Sequence, residues 1–231
     1  MSLRRAGWRR GRRIGLSAMP RAELQHLPLF GGIAPDELAE LSSDTAVRSF
    51  RKNTIIVHEG DTGGPLYILL AGRVKFFLTG ENGREFVLGT AGAQEYLGEI
   101  SLDGGPRSAS VMTLEPCRCA VVPREQLRPF IARHPAVALT IMENLIRRVR
   151  ALTDTARNLA TSGVYCRVAQ LLTENARDDQ GQIALSQQAI ADRVGASRQM
   201  VSRILSDLAA GGYVARQGRH LVMLRRPPRA W

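Results

Sequence analysis

The chain has 231 residues, with 32 Lys and Arg against 21 Asp and Glu, a formal net charge of +11, 44% hydrophobic residues and three cysteines. That apolar fraction supports a folded core, yet no run approaches the ~18 to 20 apolar residues of a membrane-spanning helix, which excludes a transmembrane protein of that kind. An odd cysteine count argues against a disulfide framework, and the basic N-terminus has no apolar stretch behind it, so a reducing cytoplasm is the expected compartment.

The charge is uneven. Residues 1–18 hold six arginines and no acid, residues 19–162 balance 16 basic against 16 acidic side chains, and residues 163–231 carry ten arginines against five acids. A basic C-terminal third fits a nucleic-acid partner, because arginines that replace condensed counterions release them to solvent. General solubility is the plainer account of the same charge. The head, residues 1–20, has glycines among its arginines and no periodicity, and is expected to be disordered. Two accounts of it stay open: a nucleic-acid arm, or a chain that starts at Met19.

Residues 21–134 read as one domain. A helix is expected over 35–41, then β-rich segments at 53–58, 66–70, 73–79, 84–89 and 108–114, then a helix over 124–131. Turn signals at Glu59-Gly60-Asp61, Ala71-Gly72, Glu81-Asn82-Gly83 and Asp103-Gly104-Gly105-Pro106 punctuate the strands. Short strands at this spacing predict a double-stranded β-helix, or jelly-roll. Cys117 and Cys119 alternate on one face of a strand and read as buried structural thiols.

Within this domain residues 98–110 read GEISLDGGPRSAS. A phosphate held in a barrel needs a guanidinium and nearby donors, and a ribose hydroxyl is well held by a carboxylate; Arg107, Ser108 and Glu99 supply that set. A Glu–Arg pair bracing a turn is the bland alternative.

Ala138, Met142, Leu145, Val149, Leu152, Ala156 and Leu159 recur in alternating steps of four and three, the a/d pattern of a coiled-coil seam. Residues 135–162 are therefore read as a dimerisation helix ending in a hinge at Thr161-Ser162-Gly163. Packing on the β-domain of the same chain would also cover the seam, but a symmetric parallel homodimer fits it better.

Residues 163–231 read as a winged helix-turn-helix. A helix is expected to Asn175; Ser186 and Ser197 are N-cap candidates for two short helices joined by a turn at Gly195-Ala196. Tyr213 to Arg216 and Leu221 to Leu224 form a hairpin wing. On the second helix Met200, Val201, Ile204, Leu205 and Leu208 supply the buried face, leaving Arg198, Gln199, Ser202 and Arg203 outward. Arg matches guanine and Gln matches adenine in the major groove, so the first turn carries base-reading chemistry. Ser197, Ser202, Arg216 and Arg219 are phosphate-contact candidates. A protein-interaction module with a solvated basic face is the plainer reading of the helices alone.

With GEISLDGGPRSAS, which looks like the phosphate-binding cassette of cyclic-nucleotide-binding domains, the chain resembles the Crp/Fnr family of bacterial transcription regulators. Leu29-Phe30, the run 70–74, the long helix and the run 195–203 carry the rest of the likeness, over about residues 24–226. The resemblance implies an α+β homodimer on a palindromic double-stranded DNA operator, contact with RNA polymerase, and a small effector such as cAMP. It assigns the ribose to Glu99, the cyclic phosphate to Arg107 and Ser108, close backbone approach to Gly98, and base reading to Arg198 and Arg203. The segment between Glu99 and Arg107 is one residue shorter than the usual family form. Where cAMP-responsive members carry Thr-Ser on the long helix this chain has Leu152-Thr153, so only Thr153 keeps a hydroxyl for the base. Gln199 stands where a glutamate is common, which implies a different half-site.

A cyclic dinucleotide, a redox signal or no effector at all are the alternatives within the family. Cys117, Cys119 and Cys166 are too few for a four-thiolate cluster, and His58, the one histidine of the β-rich region, reads as a turn residue rather than a haem ligand. A cupin-type metal enzyme is the rival from another class, but His26, His58, His134 and His220 are scattered, so no metal site and no catalytic residue are assigned.

Overall fold

The computed structural model describes residues 17–81, 83–176, 181–218 and 220–228. The expectations for the arginine-rich head and for Arg219 lie outside the described residues, apart from the head's last few positions.

The chain forms two compact units, one built on residues up to Phe76 together with Thr90–Glu143, the other on Phe77–Gly89 together with Asn144 onward. The first part of the chain runs Ser17–Ala18 (β1), Arg21–Gln25 (α1), a 3-10 turn Pro28–Phe30, Leu38–Asp44 (α2), Ala46–Phe50 (β2), Ile55–Val57 (β3), Leu66–Ala71 (β4), Val74–Thr79 (β5) and Glu85–Ala91 (β6). Tyr96–Leu97 (β7), a 3-10 turn Glu99–Asp103, Ser110–Thr113 (β8), Cys117–Val122 (β9), Arg124–Arg133 (α3) and Pro135–Thr161 (α4) follow. One sheet has the order β1-β2-β9-β4-β7 and the other β3-β8-β5-β6.

Strand β9 is the centre of the first sheet, antiparallel to β2 on one side and β4 on the other. Its alternation explains the placement. Cys117 and Cys119 join Val57, Leu69, Val74, Ala91, Leu97 and Val111 in a core drawn from both sheets, while Ala120 and Val122 on the opposite face are also fully buried, as are Leu66 and Ile68 of β4. Only Arg118 interrupts the burial of β9, its side chain exposed at the strand's second position. The thiols are free; burial pushes Cys119 up from 9.0 to about 12. Helix α2 begins at Leu38, three residues later than expected, and Phe30 meets Phe130 of α3 edge to face at 5.9 Å.

Helix α4 spans the expected length. Val137, Ile141 and Asn144 are buried, while Leu139, Met142, Ile146, Val149, Leu152 and Leu159 are exposed. Ala138 and Leu145, expected in the seam, are half-buried; Leu139 and Ile146 stand on the open stripe beside the expected Met142, Val149, Leu152 and Leu159. Ala156 is exposed as well.

The C-terminal part comprises Val164–Asn175 (α5), Gln182–Ile183 (β10), Gln187–Val194 (α6), Arg198–Ala210 (α7), Val214–Gln217 (β11) and His220–Met223 (β12), with the strands in the order β10-β12-β11. Ser186 and Ser197 each accept a hydrogen bond at 3.1 Å from the backbone N–H three residues on, satisfying an orphan donor of the first turn. Gly195 ends α6 at φ +66°, the left-handed cap conformation that glycine adopts without a Cβ penalty. Val168, Leu172, Ile190, Val194, Val201 and Leu208 are among the residues of its core. Arg167 ties the end of α4 to α6, donating from Nε to the Val194 carbonyl at 2.9 Å and from Nη1 to the Ser162 carbonyl.

Candidate effector and nucleic-acid sites

Strand β7 ends at Leu97, and Gly98, the residue after it, sits at φ +95°. A Cβ there would lie 2.2 Å from Nη1 of Arg107 and 3.0 Å from the Pro65 carbonyl oxygen, so only glycine lets the guanidinium lie against the backbone. Gly64, at φ +104°, flanks the other side, with Nη2 of Arg107 only 2.8 Å from where its Cβ would be. Arg107 donates from Nη1 to the Gly98 carbonyl and from Nη2 to the Pro65 carbonyl, each at 2.7 Å. These two bonds use two of the five N–H groups of a guanidinium and leave three for an anion.

The loop around Arg107 is laced to the segment before β4. Its N–H donates to the Asp61 carbonyl at 2.8 Å, its carbonyl accepts from the Gly60 N–H at 2.9 Å, and Ser110 Oγ accepts from the Glu59 N–H at 3.0 Å. Arg107 is 6% exposed and Glu99 3%. Burial draws the Arg107 guanidinium below its ordinary value, opposed by the negative potential of Tyr67, Glu99 and Asp61. Tyr67 in turn is pushed up by burial, with Arg48 and Arg107 pulling the other way. The short connection between Glu99 and Arg107 closes through the 3-10 turn and Asp103, whose Oδ1 accepts from the Gly105 N–H at 2.7 Å. Its end is held by Arg124, which donates to the Leu102 carbonyl at 3.2 and 3.3 Å.

Gly98, Glu99 and Arg107 are thus brought together. Ser108 follows Arg107 and is exposed; Thr153 is exposed on the part of α4 that belongs to the second unit, its hydroxyl donating to the Val149 carbonyl at 2.9 Å. Gly64, Pro65 and Asp61 complete the site and were not among the expected residues. The Gly63-Gly64-Pro65 run before β4 was the available signal.

On α7 the residues Arg198, Gln199 and Arg203 are exposed and Ser202 is half-buried, so positions i, i+1, i+4 and i+5 share one outward face. Val201, Ile204, Leu205 and Leu208 are buried as expected. Met200, expected in the core, is 43% exposed and is corrected to the helix surface; it lies one position from Val201, about 100° round the helix. Ser197 is half-buried with its Oγ engaged by the Met200 N–H, and Arg216 is exposed on β11. Among the described residues no group of three His, Cys, Asp or Glu side chains could hold a metal ion, and no helix is long and apolar enough to cross a membrane.

Two family models match the chain: the cyclic nucleotide-binding domain over residues 47–134 and the Crp-like helix-turn-helix domain over 166–229. The CRP-like cAMP-activated global transcriptional regulator of Mycobacterium tuberculosis is 31% identical over 204 residues, 84% of this chain and 91% of that protein. The cyclic AMP receptor protein of Thermus thermophilus is 34% identical over 189 residues, 81% and 88% of the two chains. Among solved structures, the c-di-GMP responsive global regulator CLP of Xanthomonas campestris superposes with a TM-score of 0.74 at 25% identity, covering 82% of this chain and 99% of that one. These relatives are transcription regulators, not enzymes, which removes the cupin reading. With both halves matched in order, the chain belongs to the Crp/Fnr family of DNA-binding transcription regulators, with a cyclic-nucleotide-binding-type effector domain ahead of a Crp-type helix-turn-helix.

Proposed function

We propose that this regulator is a homodimer that binds a palindromic operator when a cyclic mononucleotide, cAMP first among candidates, occupies the site formed by Gly98, Glu99, Arg107 and Ser108. The observation that carries the reading is a buried carboxylate and a buried guanidinium in one cassette, the guanidinium with three N–H groups beyond its two backbone bonds. Arg107 and Ser108 hold the cyclic phosphate, and Glu99 accepts from the ribose hydroxyl. In this reading residues 21–134 form the effector domain, 135–162 the dimerisation helix and hinge, and 163–231 the DNA-binding domain.

The open apolar stripe of α4 supports the dimer, since exposed large side chains on one helix face gain most by pairing with a second copy. Two recognition helices α7 then enter successive major grooves, with Arg198, Gln199 and Arg203 reading bases and Ser197, Ser202, Arg216 and Arg219 on phosphates. The effector acts by differential affinity, favouring the dimer conformation whose helices match the groove spacing. The bound dimer acts on promoters through RNA polymerase, in the cytoplasm, where its thiols stay reduced.

A cyclic dinucleotide is the second reading. Leu152 offers no hydrogen bond to an adenine, and the similar Xanthomonas regulator is described as c-di-GMP responsive. Calorimetric titration of cAMP, cGMP and cyclic di-GMP into the wild type and Arg107→Ala, with anisotropy of a selected inverted-repeat oligonucleotide, separates the readings. Cyclic AMP is expected to bind the wild type, to tighten DNA binding, and to do neither in Arg107→Ala. Binding of cyclic di-GMP alone selects the second reading, and an unchanged cAMP response in Arg107→Ala refutes the assigned phosphate site.

A further inference from the structure

Tyr96 lies two residues before Gly98, is 5% exposed, and reaches out of the effector domain's first sheet to the long helix: its hydroxyl donates to the Thr140 carbonyl of α4 at 3.1 Å. Both residues belong to the same compact unit. We propose that Tyr96 is a positioning residue that couples the effector cassette to the dimerisation helix, an inference that rests on the effector reading above.

Three observations support it. First, Tyr96 cannot slide freely, because β7 is registered on β4 through Tyr96 opposite Ile68 and Leu97 opposite Tyr67. The turn before it is pinned to Leu69 by bonds of 2.7 and 2.8 Å through Gln94 and Glu95. Second, the Gly98 carbonyl is one of the two acceptors of the Arg107 guanidinium. A ligand that draws on Arg107 therefore pulls on a backbone only two residues from Tyr96. Third, Thr140 sits between the two faces of α4, its neighbours Val137 and Ile141 buried and Leu139 and Met142 on the open stripe. A carbonyl there has a second lone pair for Tyr96 besides its helical bond, so the phenol grips the helix at its backbone, where a shift moves the stripe as a whole.

The test is Tyr96→Phe, which keeps the ring and removes the donor. With cAMP as probe, its affinity is expected to stay within about twofold of wild type, while the cAMP-induced gain in operator affinity falls by about 2- to 10-fold. A residue that only stabilises the fold would lower the melting temperature and leave that gain unchanged, which overturns the proposal. Hydrogen exchange of residues 136–146 gives a readout that needs no nucleotide. Arg107→Ala is expected to alter exchange there in the wild-type background and not with Tyr96→Phe. The same alteration in both backgrounds, or none in either, overturns the coupling. Should cAMP fail to bind the wild type at all, the choice of cAMP falls while the exchange comparison still decides for or against Tyr96.

Discussion

Gly98→Ala tests the arginine clamp directly. Two costs arise from the geometry. An alanine at φ +95° occupies a region that residues with a Cβ rarely adopt, about 1 to 3 kcal/mol. Its Cβ also falls 2.2 Å from Nη1 of Arg107, so the guanidinium must leave and forfeit its bond to the Gly98 carbonyl, about 1.5 to 3 kcal/mol for a bond from a charged donor. The single substitution is expected to cost about 2.5 to 6 kcal/mol of unfolding free energy, with loss of whatever anion Arg107 binds. The two costs separate in a double-mutant cycle measured by urea denaturation. In an Arg107→Ala background only the backbone strain remains, so Gly98→Ala is expected to cost about 1.5 to 3 kcal/mol less there. Additive effects of the two substitutions would refute the claim that Gly98 is glycine because of Arg107.

In the proposed dimer Leu152, 44% exposed, would give up about 1 kcal/mol of seam burial per chain on truncation to alanine, so Leu152→Ala is expected to raise the dissociation constant about 30-fold in analytical ultracentrifugation; no change refutes the seam. Arg198→Ala is expected to cost about 1 to 3 kcal/mol at the selected operator and to relax one base position, whereas an unaltered selected sequence would remove it from base reading. Cys119, whose thiol is pushed up to about 12, keeps its proton in the folded state when the unfolded thiol has lost it. The unfolded chain then binds fewer protons, so stability falls as pH rises from about 9 towards 12, by up to about 1.4 kcal/mol per pH unit. Denaturation curves at pH 9 and pH 11 check this: the decline is expected to shrink in Cys119→Ala, and an identical decline in both proteins contradicts it.

What the sequence disclosed and what it hid follow from how local each signal is. The helix-turn-helix was legible because its determinants sit within a dozen residues: Ser186 and Ser197 cap, Gly195 turns, and the apolar spacing marks the inner face. Met200 was misplaced because an apolar residue at the first turn of a short helix fits either the core or the surface by pattern alone. Strands β1, β7 and β10 have two residues each, too few for any periodicity to register. At the candidate effector site, Glu99 and Arg107 could be singled out from sequence because they lie within one cassette. Pro65 did not, since its carbonyl meets Arg107 across 42 residues of chain and only the pairing of β4 with its neighbours brings it there. A proline contributing through its backbone oxygen has no side-chain chemistry to reveal it.

The long helix shows a subtler limit, in phase rather than period. Between Pro135 and Ile146 most residues are apolar, so the alternating steps of four and three can be drawn through Ala138 and Leu145 or through Leu139 and Ile146. The β-domain resolves the ambiguity by burying Val137 and Ile141, which leaves Leu139, Met142 and Ile146 on the open side. Further along, the stripe returns to the expected Val149, Leu152 and Leu159. A straight α-helix drifts about 20° per heptad against a strict seven-residue repeat, so an offset between the two halves is inherent in any helix that serves one face at its start and another at its end. Leu145 and Ile146 stand about 100° apart on the helix, so the phase set by its first half decides which of them lies on the stripe. The first half of α4 is thereby where burial of Val137 and Ile141 decides which apolar side chains stay on the open stripe.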